Sequence, residues 1–92
     1  MPLQFLDEGN YYKICDEKGN ICLIDKEDRI KIEKYNWKHS RGYWIAVNPE
    51  SIGPQLLTMH RIIMEAKENE FIDHRKQVKN GFTDNRKQNL RK

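Results

Sequence analysis

The stretch YYKICDEKGNICLID, Tyr11 to Asp25, constrains the fold more than any other part of the chain. Two apolar runs flank Asp16-Glu17-Lys18-Gly19-Asn20, and Gly19 can take the positive φ such a turn requires, so the stretch predicts a β-hairpin. A hairpin needs cover for its apolar face. With 92 residues, 37% apolar and 34% charged, the chain can provide one modest core and not two. One α+β domain over residues 1–92 is therefore expected, with a small, mostly antiparallel sheet and short helices. If Gly19 closes a bulged loop, Cys15 and Cys22 are offset across the hairpin, and without a CxxC pair they read as small core residues.

After the hairpin, Asp25 can cap a helix from about Lys26 to Tyr35, with Asp28 at the N3 position. Its apolar stripe is thin, Ile30 helped by Tyr35 and Trp37, so it must lean on the sheet. Trp37, the polar turn Ser40-Arg41-Gly42 and Tyr43 to Val47 carry strand signals, and alternation sets Tyr43 and Ile45 on one face, Trp44 and Ala46 on the other. The loop NPESIGPQ ends that strand. LLTMHRIIMEA then reads as a strand passing into a short helix. Phe71-Ile72 is expected as a short strand that delivers Asp73-His74, Asn80-Gly81 as a turn, and Asp84 as the cap of a helical turn through Arg86 to Gln88. Asn89-Leu90-Arg91 looks like the start of another strand.

Charge is unevenly placed. Met1 to His74 carries ten Lys/Arg against thirteen Asp/Glu, a net of −3, whereas Arg75 to Lys92 carries seven against one, a net of +6. Such a run is either a solvated tail or an electrostatic footprint for phosphates. Its punctuation by Asn80-Gly81, Phe82, Asn85, Asn89 and Leu90 argues for turns and anchors. No signal peptide is evident and no segment approaches the roughly 20 apolar residues of a membrane span, so a soluble, reduced, cytoplasmic protein without membrane contact is expected.

Asp73 and His74 suit hydrolysis as a pair. A carboxylate oxygen is a hard ligand for Mg²⁺-like ions, and a neutral imidazole can take a proton from water near pH 7. Their bland counterparts are a turn carboxylate and a surface histidine. A general base also needs an acceptor on its second ring nitrogen, and Asn85 and Asn89 follow within reach of a folded-back loop.

The ordered set MHRIIM (Met59–Met64), IDH (Ile72–His74) and DNRKQNLR (Asp84–Arg91) resembles the HNH homing endonucleases of phages and group I introns. LIDKEDRIKIEKYNWKHSRGYWIAV is similar to the region those proteins place upstream, so the likeness runs from about Tyr11. It divides the chain into an N-terminal region, 1–58, and a nuclease motif of the ββα-metal type, 59–92. The resemblance implies a metal-dependent hydrolase acting on double-stranded DNA, with no small-molecule substrate. It makes His74 the general base, Asp73 the ligand of one divalent ion, Mg²⁺ or Mn²⁺, and Asn89 the residue that orients His74. Arg75, Lys76, Lys79, Arg86, Lys87 and Arg91 become phosphate-facing cations. His60, Arg61 and Asn85 match motif positions whose role is structural or DNA-contacting.

Two departures accompany the match. Nine residues separate His74 from Asp84, a longer loop than the family's usual one. The family's last helix, which supplies a further Asn or His ligand, falls past Lys92, so the motif is expected to lack that element. Two other classes stay open: a non-catalytic DNA-binding module using Trp37, Tyr43, Trp44 and the basic run, with a vestigial Asp-His pair, and a small protein-binding domain.

Overall fold

Asp16 closes the hairpin by local hydrogen bonding. Its carboxylate accepts from the backbone N–H groups of Lys18 and Asn20, at 2.9 and 2.8 Å, and from the Asn20 amide at 2.8 Å. Gly19 takes the left-handed position, φ +86°. The computed structural model describes residues 3–50, 52–53, 55–76 and 81–92. Strand β1 (Gln4–Asp7), absent from the sequence reading, pairs antiparallel with β2 (Tyr11–Cys15), and β2 with β3 (Ile21–Asp25). The register sets Ile14 opposite Cys22 and Cys15 opposite Ile21, so the cysteines are offset as expected, and both are free thiols.

The helix after β3 is shorter than its capping pattern suggests. A 3₁₀ turn, Lys26–Asp28, leads into α1 (Arg29–Ile32), and Asp25 makes no side-chain cap bond. Its carboxylate is taken instead by the backbone N–H of Lys87, 2.9 Å away. The tighter turn changes the phase of the following residues. Ile30, expected on the apolar stripe, is 77% exposed, and Ile32 is the residue that enters the core.

Strands β4 (Lys38–Ser40) and β5 (Tyr43–Val47) form the second hairpin, closed by Arg41 and Gly42 at φ 51° and 85°, the consecutive left-handed pair of a two-residue turn. Strand β6 (Leu56–Thr58) pairs with β5 and passes directly into α2 (Met59–Ile63), the predicted strand-then-helix. Three short strands follow: β7 (Asp73–His74), β8 (Phe82–Asp84) and β9 (Leu90–Arg91). The expected strand at Phe71-Ile72 lies two residues later, and Phe71 is exposed. A 3₁₀ turn, Lys87–Asn89, precedes β9.

The described strands form three sheets, β1-β2-β3-β8, β4-β5-β6 and β7-β9, where one was expected. Pairing is antiparallel throughout except between β3 and β8, so the α+β class and the mostly antiparallel character hold. The core joins Ile14, Cys22 and Ile24 of the first sheet to Ile32, Trp37, Trp44, Ala46, Met59, Ile63 and Leu90. Alternation in β5 falls as read: Trp44 and Ala46 are buried and Tyr43 is half-exposed. Trp37 is buried too, its indole N–H donating to the Ile32 carbonyl at 2.7 Å. No helix of the described residues is long and apolar enough to cross a membrane.

Gly81 opens β8 at φ +75°, with its carbonyl accepting from Ile21 at 2.8 Å, and a Cβ there would meet Asn20 Oδ1 at 2.7 Å. Gly81→Ala is expected to lower stability by about 2 kcal/mol, combining left-handed strain with the clash. Gly19→Ala, with nothing within 4 Å, should lose only about 1 kcal/mol. Urea denaturation of both variants checks the order, and equal losses would contradict it.

Candidate functional site

Leu90 decides which way His74 points. It is 3% exposed and pairs with His74 across β7 and β9, so the histidine lies on the inward face of that two-strand ladder. Asp73 pairs with Arg91 on the outward face, where its Oδ2 accepts from Arg91 Nη2 at 3.0 Å. The two residues of the Asp-His pair are therefore held on opposite faces, as a regular strand requires.

The inward face brings two more side chains to His74, with a third behind one of them. Asn85 directly follows β8, its backbone N–H donating to Leu23 O at 2.8 Å, and its side chain is 1% exposed. His74 Nε2 donates to Asn85 Oδ1 at 2.7 Å. That bond fixes the Nε2–H tautomer and leaves Nδ1 with a lone pair, the arrangement a general base needs. On the other side His60, from α2, sets its ring centroid 5.0 Å from that of His74, and Tyr43 of β5 lies 5.5 Å beyond His60. Burial, reinforced by the charge of His74 when it is protonated and by that of Arg61, pushes the His60 imidazole down to about 4, so it is uncharged at neutral pH.

This geometry corrects the assignment of Asn89. Its Oδ1 accepts from the backbone N–H of Lys76 at 3.0 Å, and its Nδ2 donates to Asp84 O at 2.8 Å and to Lys76 O at 3.4 Å. Asn89 thus ties the residues after β7 to the end of β8, while Asn85 holds the histidine. Arg61 is also structural: its guanidinium donates to the carbonyls of Glu70, 2.6 Å, and Lys67, 2.7 Å, and clamps the loop after α2.

The basic run is less available than its count suggests. Arg86 binds Asp84 through two nitrogens, at 2.9 and 2.8 Å, and covers the Tyr11 ring. Burial works against the Asp84 charge, but the bonds from Arg86 outweigh it and hold that carboxyl below its ordinary value. Lys87 reaches Glu27 at 2.9 Å and Asp28 at 3.1 Å. Arg91 pairs with Asp73 and Lys92 with Glu70. Arg86 and Lys87, expected to face phosphate, are thereby engaged within the chain. Arg75 and Lys76 are exposed and make no ion pair among the described residues; Lys79, also expected to face phosphate, and the Asn80 half of the predicted turn lie outside them.

Asp25, Glu27 and Asp28 form the one three-residue cluster with metal-ligand spacing among the described residues. Lys87 lies against it, its ammonium within 3.1 Å of Glu27 and Asp28 and its backbone N–H on Asp25. The cluster is thus clasped by a lysine that offsets part of its charge. For the ion implied by the motif, Asp73 is an exposed hard-oxygen donor whose Oδ2 is paired with Arg91, and no second carboxylate or imidazole joins it in such a cluster among the described residues. That donor set fits a hydrated Mg²⁺ or Mn²⁺ that keeps most of its waters, not a caged ion.

Comparison with protein-family models, with curated proteins and with solved structures finds no match to this chain. The site is therefore defined by its own geometry. Sequence reasoning missed the ring series Tyr43–His60–His74, although the strand alternation that exposes Tyr43 and the motif that contains His60 were both in view.

Asp28 is 1% exposed, and burial raises its carboxyl above the ordinary value against the pull of Lys87 and Lys31. Lys87→Met is expected to lose about 3 kcal/mol at neutral pH, because it strands a buried carboxylate. Losing the ammonium raises the Asp28 carboxyl further, and a group raised on folding favours the folded state once it is protonated. The deficit should therefore shrink as pH falls toward about 4.5 and return as pH rises. Urea denaturation of both proteins at the two pH values measures it, and a deficit independent of pH would contradict the clasp.

Proposed function

We propose that this chain is a metal-dependent endonuclease module of HNH type that hydrolyses phosphodiester bonds in double-stranded DNA. The observation that carries the reading is the 2.7 Å bond from His74 to the buried Asn85, a histidine held in one tautomer within the ordered MHRIIM, IDH and DNRKQNLR set. His74 accepts the proton of the attacking water at Nδ1, and Asn85 stabilises the imidazolium that results by accepting from Nε2–H. Asp73 is the residue assigned to the divalent ion, Mg²⁺ or Mn²⁺. Such an ion supplies positive charge against the charge developing on the phosphate. Asp73 and His74 face opposite ways, so the phosphate is expected to approach along the edge of β7 to reach both. Arg75 and Lys76, which follow that strand, are the cations best placed to draw it there.

A second reading has one observation in its favour. Asp73 is already neutralised by Arg91 and turned away from His74, as a vestigial pair in a non-catalytic DNA-binding module would be. Burial of both Trp37 and Trp44 leaves that module only Tyr43 as an exposed aromatic from the central strands.

Nicking of supercoiled plasmid in Mg²⁺ or Mn²⁺ separates the two. His74→Ala is expected to slow nicking at least about 100-fold while retaining duplex binding. Asn85→Ala should slow it about 10- to 100-fold. Asn89→Ala should act mainly on stability, with a loss of about 1–3 kcal/mol. A His74→Ala protein that nicks at the wild-type rate would sink the catalytic assignment.

A further inference from the structure

We infer that His60 is a positioning residue for His74: its buried ring, braced from outside by Tyr43, holds the His74 imidazole on Asn85. The kinetic consequence rests on the endonuclease reading; the structural one does not.

Three rings stand in series, with the buried His60 between Tyr43 and the partly buried His74. Tyr43 is 49% exposed and His60 8% exposed, with their centroids 5.5 Å apart and their planes 32° apart. His60 and His74 follow at 5.0 Å and 57°. The hydrogen bond to Asn85, the one His74 ring bond among the described residues, fixes one atom of the ring and still permits rotation about its axis. A wall on the other side removes that freedom, which is what lowers the entropic cost of presenting one nitrogen to water.

The wall itself is fixed. His60 lies between Met59, fully buried, and the core helix residue Ile63, so α2 cannot shift without opening the core. No hydrogen bond joins His60 to Tyr43 or His74 among the described residues, so the contact is packing and not a proton relay. Arg61, next in sequence, turns its guanidinium to the Glu70 and Lys67 carbonyls. The ring at 60, kept uncharged by its burial, does not oppose the positive charge His74 acquires on taking a proton.

The test is the His74 tautomer, read from long-range proton–nitrogen NMR of the imidazole, in the wild-type chain, His60→Phe and His60→Ala. The wild type and His60→Phe should both show the Nε2–H form, because either ring supplies the wall. His60→Ala should show a mixture and, in the plasmid assay, a kcat lower by about tenfold with little change in KM. Should His60→Ala fail to fold, Tyr43→Ala, at a half-exposed position, should raise the minor tautomer instead. A wild-type tautomer in His60→Ala, or in Tyr43→Ala where that variant is used, would overturn the inference. So would a folded His60→Phe that loses the Nε2–H form. If the tautomers behave as stated and the wild type never nicks, the positioning role stands and the endonuclease reading falls.

Discussion

The parallel pairing of β3 with β8 is the constraint on which the site depends. Ile21 N–H on Gly81 O and Asn85 N–H on Leu23 O, each 2.8 Å, are backbone bonds at the two ends of a three-residue ladder. They carry the C-terminal segment back onto the first hairpin and leave Asn85 fully buried with its amide oxygen aimed at His74. Parallel pairing of segments so far apart in sequence gains little by itself and depends on neighbouring packing to offset the cost of closing the loop. Cys22, Ile24 and Leu90, buried in one core cluster, provide that packing.

A second tie runs between the same two segments through charge. Lys87 donates its backbone N–H to Asp25 and sets its ammonium against Glu27 and Asp28. Burying the Asp28 carboxylate costs several kcal/mol, and a partner at 3.1 Å offsets that cost only while it is present. The tie therefore adds less to net stability than to register: a slipped strand would strand a charge. It also accounts for an acidic trio that would otherwise read as a metal site, and engages Lys87 within the chain.

Much of the fold was legible where local chemistry decides the outcome. The Asp16–Asn20 turn, the Arg41-Gly42 turn, the alternation in Tyr43 to Val47 and the strand-then-helix at Leu56 to Ile63 depend on residues near one another, and the sequence pattern names them. What escaped depends on partners far along the chain. Asp25 reads as a helix cap until Lys87 claims its carboxylate, and Ile30 reads as core until a 3₁₀ turn rotates it outward. The exchange of Asn85 for Asn89 beside His74 is of the same kind, because both lie on a short segment and only the distant β3 decides which one turns inward. The net charge of the tail was read correctly as a sum, but its ion pairs with Glu27, Asp28, Glu70 and Asp73 are tertiary and invisible to counting.

His74 held on Asn85 in one tautomer, the exposed Asp73 carboxylate paired with Arg91 one residue before it and, among the described residues, two cations without ion pairs after it are the features on which the endonuclease reading rests, with Tyr43 and His60 packed behind the histidine. The measurement that tests this most directly is the conversion of supercoiled plasmid to its nicked form by the wild-type chain, with and without a chelator. The account requires nicked circles with Mg²⁺ or Mn²⁺ and none when the metal is removed. Plasmid that stays supercoiled under every divalent ion, while the protein still binds it with an affinity that falls as salt rises, would contradict it and leave a DNA-binding module in its place.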